Sequence, residues 1–481
     1  MELTLAGIFV VGIVAFALRR DIANGVVLAI GFLPFGALAV VNLPAVGGIS
    51  LLAAHTTAAL SLATAGALFL VSRQRQTVAP LPLSALLLVS FAAYGVFASL
   101  LYPRLFHHAF LVFSLAREPQ NAIYLGGPIR SPLVPLEPNA SNFSQSAYLV
   151  LGVLFFLLAR AIASERGPRV LHRAIELACV VNIGLGVLDL FALDPLLAYI
   201  RTANYVIHAQ HQTLGFQRII GGFAEASIFG GFSTAMCAYF TSLYLDRRTP
   251  RIGLLAAASG AFSILAFAST AYASIAVVGT LLLGRSLLDT LRFGVRERTL
   301  PWAVLVGATV SVVALVLLVA TPIGAFVGEL LDELIFKKAG SESGIERGLW
   351  AEYGYRAFFA TYGLGAGIGS LRSNGLIAVL LSNVGIPGTL LFCGFLWFVY
   401  LRPTPRPARG SMEWAWLRAA SACAASILAA QLVSGTTPDP GLFFVSLSAL
   451  AVTCRETAPR ASRAPTAATV ADRALDGSPL S

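Results

Sequence analysis

The chain has 481 residues, of which 57% are hydrophobic and only 12% charged, and its mean hydropathy is +0.79. A water-soluble protein carries about a quarter charged residues, so this chain has too little polar surface to cover a globule in water, and lipid must be part of its solvent. The net charge of +10 does not signal nucleic acid, because the basic residues form short clusters between apolar runs, the pattern of a topology signal.

In hydrocarbon only helices and closed barrels satisfy their own backbone. The apolar runs are too long and too continuous for alternating barrel strands, which predicts an all-α, polytopic membrane helix bundle. Taken in chain order, spans are predicted at about 4–18, 24–44, 48–71, 80–101, 146–163, 174–193, 221–244, 252–269, 271–288, 302–326, 376–400, 414–434 and 440–454. At roughly 20 residues per crossing this is about 13 helices, within a range of about 12–14. The first span runs into Arg19-Arg20 without a small-residue cleavage site, and so reads as a retained helix.

The short loops set orientation. Arg19-Arg20, Arg73 with Arg75, 160–173, 247–251, 285–298 and 402–409 fall on alternate loops, which the positive-inside rule makes cytoplasmic. This alternation supports splitting the apolar run 252–288 into two helices, near Ser269-Thr270, over reading it as one long tilted helix. It places the N-terminus outside and the C-terminus inside. Three large extracytoplasmic segments follow, at about 102–145, 195–220 and 327–375. Residues 1–455 form one transmembrane bundle, and 456–481, rich in Ala, Pro, Ser, Thr and Arg, read as a disordered cytoplasmic tail. No internal repeat stands out, which argues against an inverted-repeat transporter.

The five cysteines lie in or beside apolar spans, none in a CxxC spacing, which suggests neither disulfides nor zinc. His107-His108 lack metal-ligand company at useful spacing, so no metal is expected. His55 inside a span reads as a helix-packing residue, and Asp189, near the outer end of its span, would line a cleft or snorkel.

The outer segments gather the uncommon charges. The stretch 201–232 carries Arg201, His208, His211 and Arg218, and then Glu225, predicted about a turn inside a span. A carboxylate in lipid costs roughly 2.5 kcal/mol or more and faces a partner or an aqueous cavity. Arg218 and Glu225 therefore read either as a structural pair or as two walls of a reaction cleft. The stretch 341–374 offers Glu342, Glu346, Arg347, Glu352, Arg356 and Arg372, with Trp350, Tyr353 and Phe358 suited to a membrane interface. Converging arginines suggest an anion, since guanidinium grips phosphate bidentately. The run Gly363-Leu364-Gly365-Ala366-Gly367 could cradle phosphate oxygens on its N–H groups, or could be only a tight turn into the span that follows. It is not a nucleotide loop, because no GxxxxGK[ST] is present.

Four motifs occur in a fixed order: Gly222-Phe223-Ala224-Glu225 after an arginine, Arg347-Gly348-Leu349-Trp350, the Gly363–Gly367 run, and Asn383-Val384-Gly385-Ile386-Pro387-Gly388. Over roughly 210–400 this set resembles the O-antigen ligase and polymerase family, which includes bacterial exopolysaccharide polymerases. The resemblance implies a metal- and cofactor-independent glycosyltransferase of the bacterial cytoplasmic (inner) membrane. Its substrate would be an undecaprenyl-diphosphate-linked oligosaccharide, and a chain-length regulator and export machinery would be partners. Glu225, Arg218 and Arg356 would be catalytic. Arg347, Arg372, Arg201, His208, His211, Gly363, Gly365, Gly367 and Asn374 would bind substrate. Glu225 is the first choice of base, because burial would favour its protonated form; Glu346, His208 and His211 follow. Ligases of this family place a histidine shortly after the glycine run. Here Leu371-Arg372-Ser373-Asn374 has none, which favours a repeat-unit polymerase over a ligase. A transporter of polyanions or lipid-linked sugars is the reading from another class.

Overall fold

The structure is a computed structural model that describes residues 2–43, 49–71, 81–115, 122–127, 129–203, 212–213, 216–293, 340–403 and 406–461. The helices, in chain order, are α1 (Leu5–Arg20), α2 (Ile22–Gly31), α3 (Ala53–Val71), α4 (Leu83–Leu105), α5 (Ala140–Arg166), α6 (Arg169–Leu190), the short α7 (Asp194–Ala198) and α8 (Ala226–Arg247). They continue with α9 (Pro250–Leu265), α10 (Ser269–Phe293), α11 (Glu342–Ala360), α12 (Leu376–Leu396), α13 (Met412–Ser434) and α14 (Gly441–Ala461). Among the described residues eight helices are long and apolar enough to cross a membrane, namely α3, α4, α5, α6, α8, α10, α12 and α13. The protein is therefore a mostly helical, multi-pass membrane protein; the described residues do not show the roughly thirteen spans expected.

Three expectations change. The run 24–44 is not a span, because α2 stops after 10 residues. Pro34 lacks a backbone donor and cannot continue a helix ladder. Beyond it the chain forms β2 (Ala39–Leu43), the middle of an antiparallel sheet with β1 (Glu2–Leu3) and β3 (Ile49–Leu52). Hydropathy does not distinguish this apolar hairpin from a helix. The expected tail is helical as far as Ala461, and Glu456 holds Arg160 of α5 at 2.7 Å. The remainder of the tail, and the span at 302–326, lie outside the described residues. The run 376–400 is a broken helix, because Gly385 has φ 60° and ψ −163° and is followed by Pro387. The division of 252–288 stands as expected: α9 ends at Leu265, Phe267 turns through φ +46°, and α10 starts at Ser269.

The centre of the bundle is built from α5, α8, α13 and α14, with Phe156, Tyr239, Phe392, Phe395 and Phe444 fully buried between helices. Ion pairs tie the basic corners together at one end. Arg166 at the end of α5 meets Asp21 between α1 and α2, Arg251 meets Glu176 at 2.8 Å, and Arg285 and Arg418 share Asp246.

At the opposite end the long segments interlock. Asn142, in the first turn of α5, donates to Ile368 O at 2.7 Å, and Gly375 N donates to Gly435 O at 2.8 Å. The strands β4 (Leu111–Phe113) and β5 (Leu133–Pro135) pair, and β4 packs on α11. The short strands β6 (Gln212–Thr213) and β7 (Phe216–Gln217) form a further ribbon. The described parts of the segments at 102–145, 195–220 and 327–375 thus share one end of the bundle.

Candidate functional site

At that interlocked end a cavity of about 520 Å³ opens between α8, α11, α13 and the loop before α12. Its rim is polar. Glu225 and Ser227 come from the start of α8, Arg347 and Trp350 from α11, Arg372 from the loop, and Gln431, Ser434 and Thr436 from the end of α13. Deeper along the same two helices the wall turns apolar, through Ile228 and Phe232 on one side and Ile427 and Ala430 on the other, with Phe443 of α14 beyond.

The rim is built to meet a polar ligand. The Arg372 backbone N–H donates to Phe113 O at 2.8 Å, and its guanidinium lies 4.9 Å over the Trp350 ring. Burial pushes that guanidinium below its ordinary pKa, and the Glu346 carboxylate opposes the shift. Neither Arg347 nor Arg372 makes an ion pair among the described residues. Arg372 Nε, Trp350 Nε1, Gln431 Oε1 and Thr270 Oγ1 are buried with no hydrogen-bond partner among the described residues. An unmade hydrogen bond at a buried polar atom costs about 1–3 kcal/mol, so a polar ligand that reached these four atoms would recover that cost. The amino end of α8 adds positive potential, and its N-cap residue Glu225 does not spend its side chain on a capping bond.

The expected site residues are divided by this geometry. Glu225, Arg347 and Arg372 come together in the cavity. Glu225 is exposed and sits just before the first turn of α8, accepting from Ser227 Oγ at 3.0 Å. It is not buried within a span, so burial no longer argues for it as the base; its position on the cavity rim does. Arg218 is half-buried behind it and makes no direct ion pair with Glu225. Its Nε donates to Ala266 O at 3.4 Å. Burial lowers its pKa while Glu225 pulls the other way. Asn374 donates to Val433 O at 3.2 Å and is not among the residues that line the cavity.

Other expected residues are committed elsewhere. Arg201 is bound at 2.6 Å to Asp189 and donates twice to Gly221 O; the second Asp189 oxygen accepts from Ile220 N at 2.6 Å and Gly221 N at 2.9 Å. This buried staple fixes the loop before α8 to the end of α6. Arg201 is thus a brace and not a ligand-binding arm, and Asp189 neither lines a cleft nor snorkels. Arg356 is exposed and paired with Glu352 at 2.5 Å along one face of α11. It does not line the cavity. Glu346 accepts from Arg130 N, Ser131 N and Ser131 Oγ at 2.8–3.1 Å, and so anchors a loop instead of waiting for a proton. His208 and His211 lie outside the described residues.

The glycine run is a packing device and not a phosphate cradle. Ala366 N donates to Ser382 O at 2.7 Å, Gly367 N to Asn383 O at 3.0 Å and Gly365 N to Thr361 Oγ1 at 3.0 Å, so these donors are spent inside the protein. The loop passes through the break in α12. At Gly365, with φ +82°, a Cβ would stand 2.7 Å from Gly385 N. The glycines of the two motifs are needed against each other.

The sequence reading missed Gln431 and Thr270. Gln431 was findable as a lone amide one turn from the end of an apolar helix. It also missed that Glu137, brought round by the β4–β5 hairpin, stands 3.7 Å from His108. His107, His108 and Glu137 each offer one ligand atom, all within 4.8 Å of one another, a metal-compatible spacing at the surface. They are separate from the cavity lining. His55 packs edge-on against Tyr148 at 5.0 Å.

Compared with protein-family models, curated proteins and solved structures, the chain matches none.

Proposed function

We propose that the protein is a membrane glycosyltransferase that polymerises polyprenyl-diphosphate-linked oligosaccharide repeats, of the undecaprenyl type, on the outer face of a bacterial cytoplasmic membrane. The observation that carries this reading is the single cavity with Glu225, Arg347, Trp350 and Arg372 at its mouth and an apolar wall below. That gradient fits an amphiphile whose diphosphate lies at the helix ends and whose hydrocarbon lies along α8 and α13. The resemblance of the ordered motifs to O-antigen polymerases supports the same substrate class, and the missing histidine after the glycine run favours polymerase over ligase.

In this reading Arg347 and Arg372 bind the diphosphate of the donor chain. The acceptor hydroxyl of another repeat attacks the anomeric carbon as the bond from that carbon to the diphosphate oxygen breaks. One displacement inverts the carbon. Negative charge grows on the departing diphosphate, where fixed guanidinium groups stabilise it more in the transition state than in the ground state. Glu225 accepts the hydroxyl proton. The donor carries its own activated leaving group, so no nucleotide is consumed.

The test is incubation of purified protein with lipid-linked repeats and no ATP, followed by sizing of the product. Polymer in the wild type, and single repeats only in Arg347→Ala, Arg372→Ala and Glu225→Gln, is the expected result. Transfer of a single block to a different acceptor would make it a ligase. Movement of intact lipid-linked sugar across a vesicle bilayer without bond formation would make it a transporter.

A further inference from the structure

At the opposite end of the bundle a second cavity, of about 420 Å³, opens between α10, α13, α14 and the loop leading into α13. Its mouth holds Arg285, Arg406, Arg409, Arg418 and Arg455 against one lining carboxylate, Asp289. A second carboxylate, Asp246, stands behind and is shared by Arg285 at 2.9 Å and Arg418 at 3.3 Å. These two guanidinium groups are only 19% and 15% exposed, and Arg418 also pairs with Asp289, so both brace the mouth of the cavity. Arg418 also lies 5.6 Å over the ring of Trp414, an amphipathic side chain suited to a membrane interface. Arg455 is buried and donates to the carbonyls of Val399, Tyr400 and Arg402.

The floor of this cavity is hydrocarbon. Ala422 and Ala425 follow Arg418 by one and two turns of α13, about 6 and 10 Å further in at the helical rise. Leu281 precedes Arg285 by one turn of α10 and is 53% exposed, so the floor opens sideways on the flank of the bundle, where acyl chains would lie. The small alanines leave width for a chain between the two helices. A soluble anion would use the arginines and leave this floor uncovered, whereas a phospholipid uses both.

We infer that this cavity is a binding site for an anionic phospholipid, with its phosphate at the exposed Arg406 and Arg409 and an acyl chain along Leu281, Ala422 and Ala425. The site stands at the other end of α13 from the candidate catalytic cavity and does not depend on the activity proposed for it.

The full chain is delipidated in detergent and titrated with phosphatidylglycerol, phosphatidylcholine or inorganic phosphate, and bound lipid is counted by native mass spectrometry. Phosphatidylglycerol is expected to bind at least tenfold more tightly than phosphatidylcholine, with affinity falling as salt rises. Removing surface arginines should weaken it roughly fivefold each, so Arg406→Gln with Arg409→Gln loses about twenty-five-fold. Both are exposed, Arg409 adds its charge to the field at Asp246, and circular dichroism checks that the double variant folds. Ala425→Phe, which fills the floor and leaves every charge, should also displace the lipid. Equal binding of the two lipids, or wild-type affinity in the double variant, overturns the proposal. Competition by millimolar inorganic phosphate with no effect of Ala425→Phe would overturn it in favour of a soluble anion.

Discussion

Replacing Gly385 by alanine tests whether the two glycine motifs exist for packing. Gly385 adopts φ 60° and ψ −163°, a backbone region essentially restricted to glycine and costing about 1–3 kcal/mol for any other residue. The added methyl would also stand 2.3 Å from Gly363 O and 2.3 Å from Leu364 C, which are backbone atoms that cannot swing aside. Overpacking of this kind costs typically 1–3 kcal/mol more. The expected loss is therefore about 2–6 kcal/mol, read as a lowered midpoint in detergent-induced unfolding. Gly12→Ala is the matched control. It lies inside α1 with nothing within 4 Å of the new methyl, and alanine is the better helix former by about 1 kcal/mol, so that variant should be neutral or slightly stabilised. If Gly385→Ala unfolded with the wild type, the break in α12 would be loose. The reading of the glycine run as a fixed plug, with its donors already used, would then fail.

Within the 341–374 stretch the arginines should separate by role. Arg372→Ala and Arg347→Ala are each expected to lower polymerisation by a hundredfold or more, while Arg356→Ala, whose group is paired with Glu352 at the surface, should stay within about twofold in the same product-sizing assay. Arg201→Ala leaves the Asp189 carboxylate buried without its cation and should cost about 3–5 kcal/mol in unfolding free energy, with Asp189→Asn milder because the two backbone N–H donors keep an acceptor. Asp439, in the turn between α13 and α14, is raised by burial to about 6, against an ordinary value of 3.8. Its folded form holds the proton more tightly than the unfolded chain, so stability should fall as pH rises from about 4 to about 6. Asp439→Asn should remove that slope and unfold later than the wild type above pH 6.

The membrane character of the chain was legible in its composition, and the division of 252–288 followed from where its arginines fall. Charge decides which loops share a side, and the structure does gather the basic corners at one end through Arg166, Arg251, Arg285 and Arg418. What hydropathy could not resolve was backbone form within an apolar run. Residues 24–44 are as greasy as a helix, yet Pro34 breaks the ladder and the backbone finds its partners in a sheet and in Gly222. Of the site, Glu225, Arg347 and Arg372 were legible because charge is scarce in such a chain. Arg201 and Arg356 were misread for the same reason, since scarcity does not say whether a partner such as Asp189 or Glu352 stands nearby. That depends on the turn after α6 in one case and on a four-residue spacing along α11 in the other.

The pairing of each arginine is what separates binding from bracing in this fold. Arg201 satisfies Asp189 and Gly221 at once, and any anion reaching it would first have to break a bridge that is 9% exposed on the arginine side. Arg372 has the opposite balance. Its backbone is pinned to Phe113 and its plane rests on Trp350, so its position costs a ligand little ordering, while its buried Nε has nothing to donate to. A fixed donor without an acceptor contributes most when charge arrives at it, because the cost of orienting it has already been met in folding. Arg347 on the neighbouring helix, the unspent amino end of α8 and the orphan Gln431 amide surround the same space, and the wall below them is apolar. A pre-set cation and an apolar wall coincide in this cavity, and a diphosphate attached to a hydrocarbon chain would use both at once.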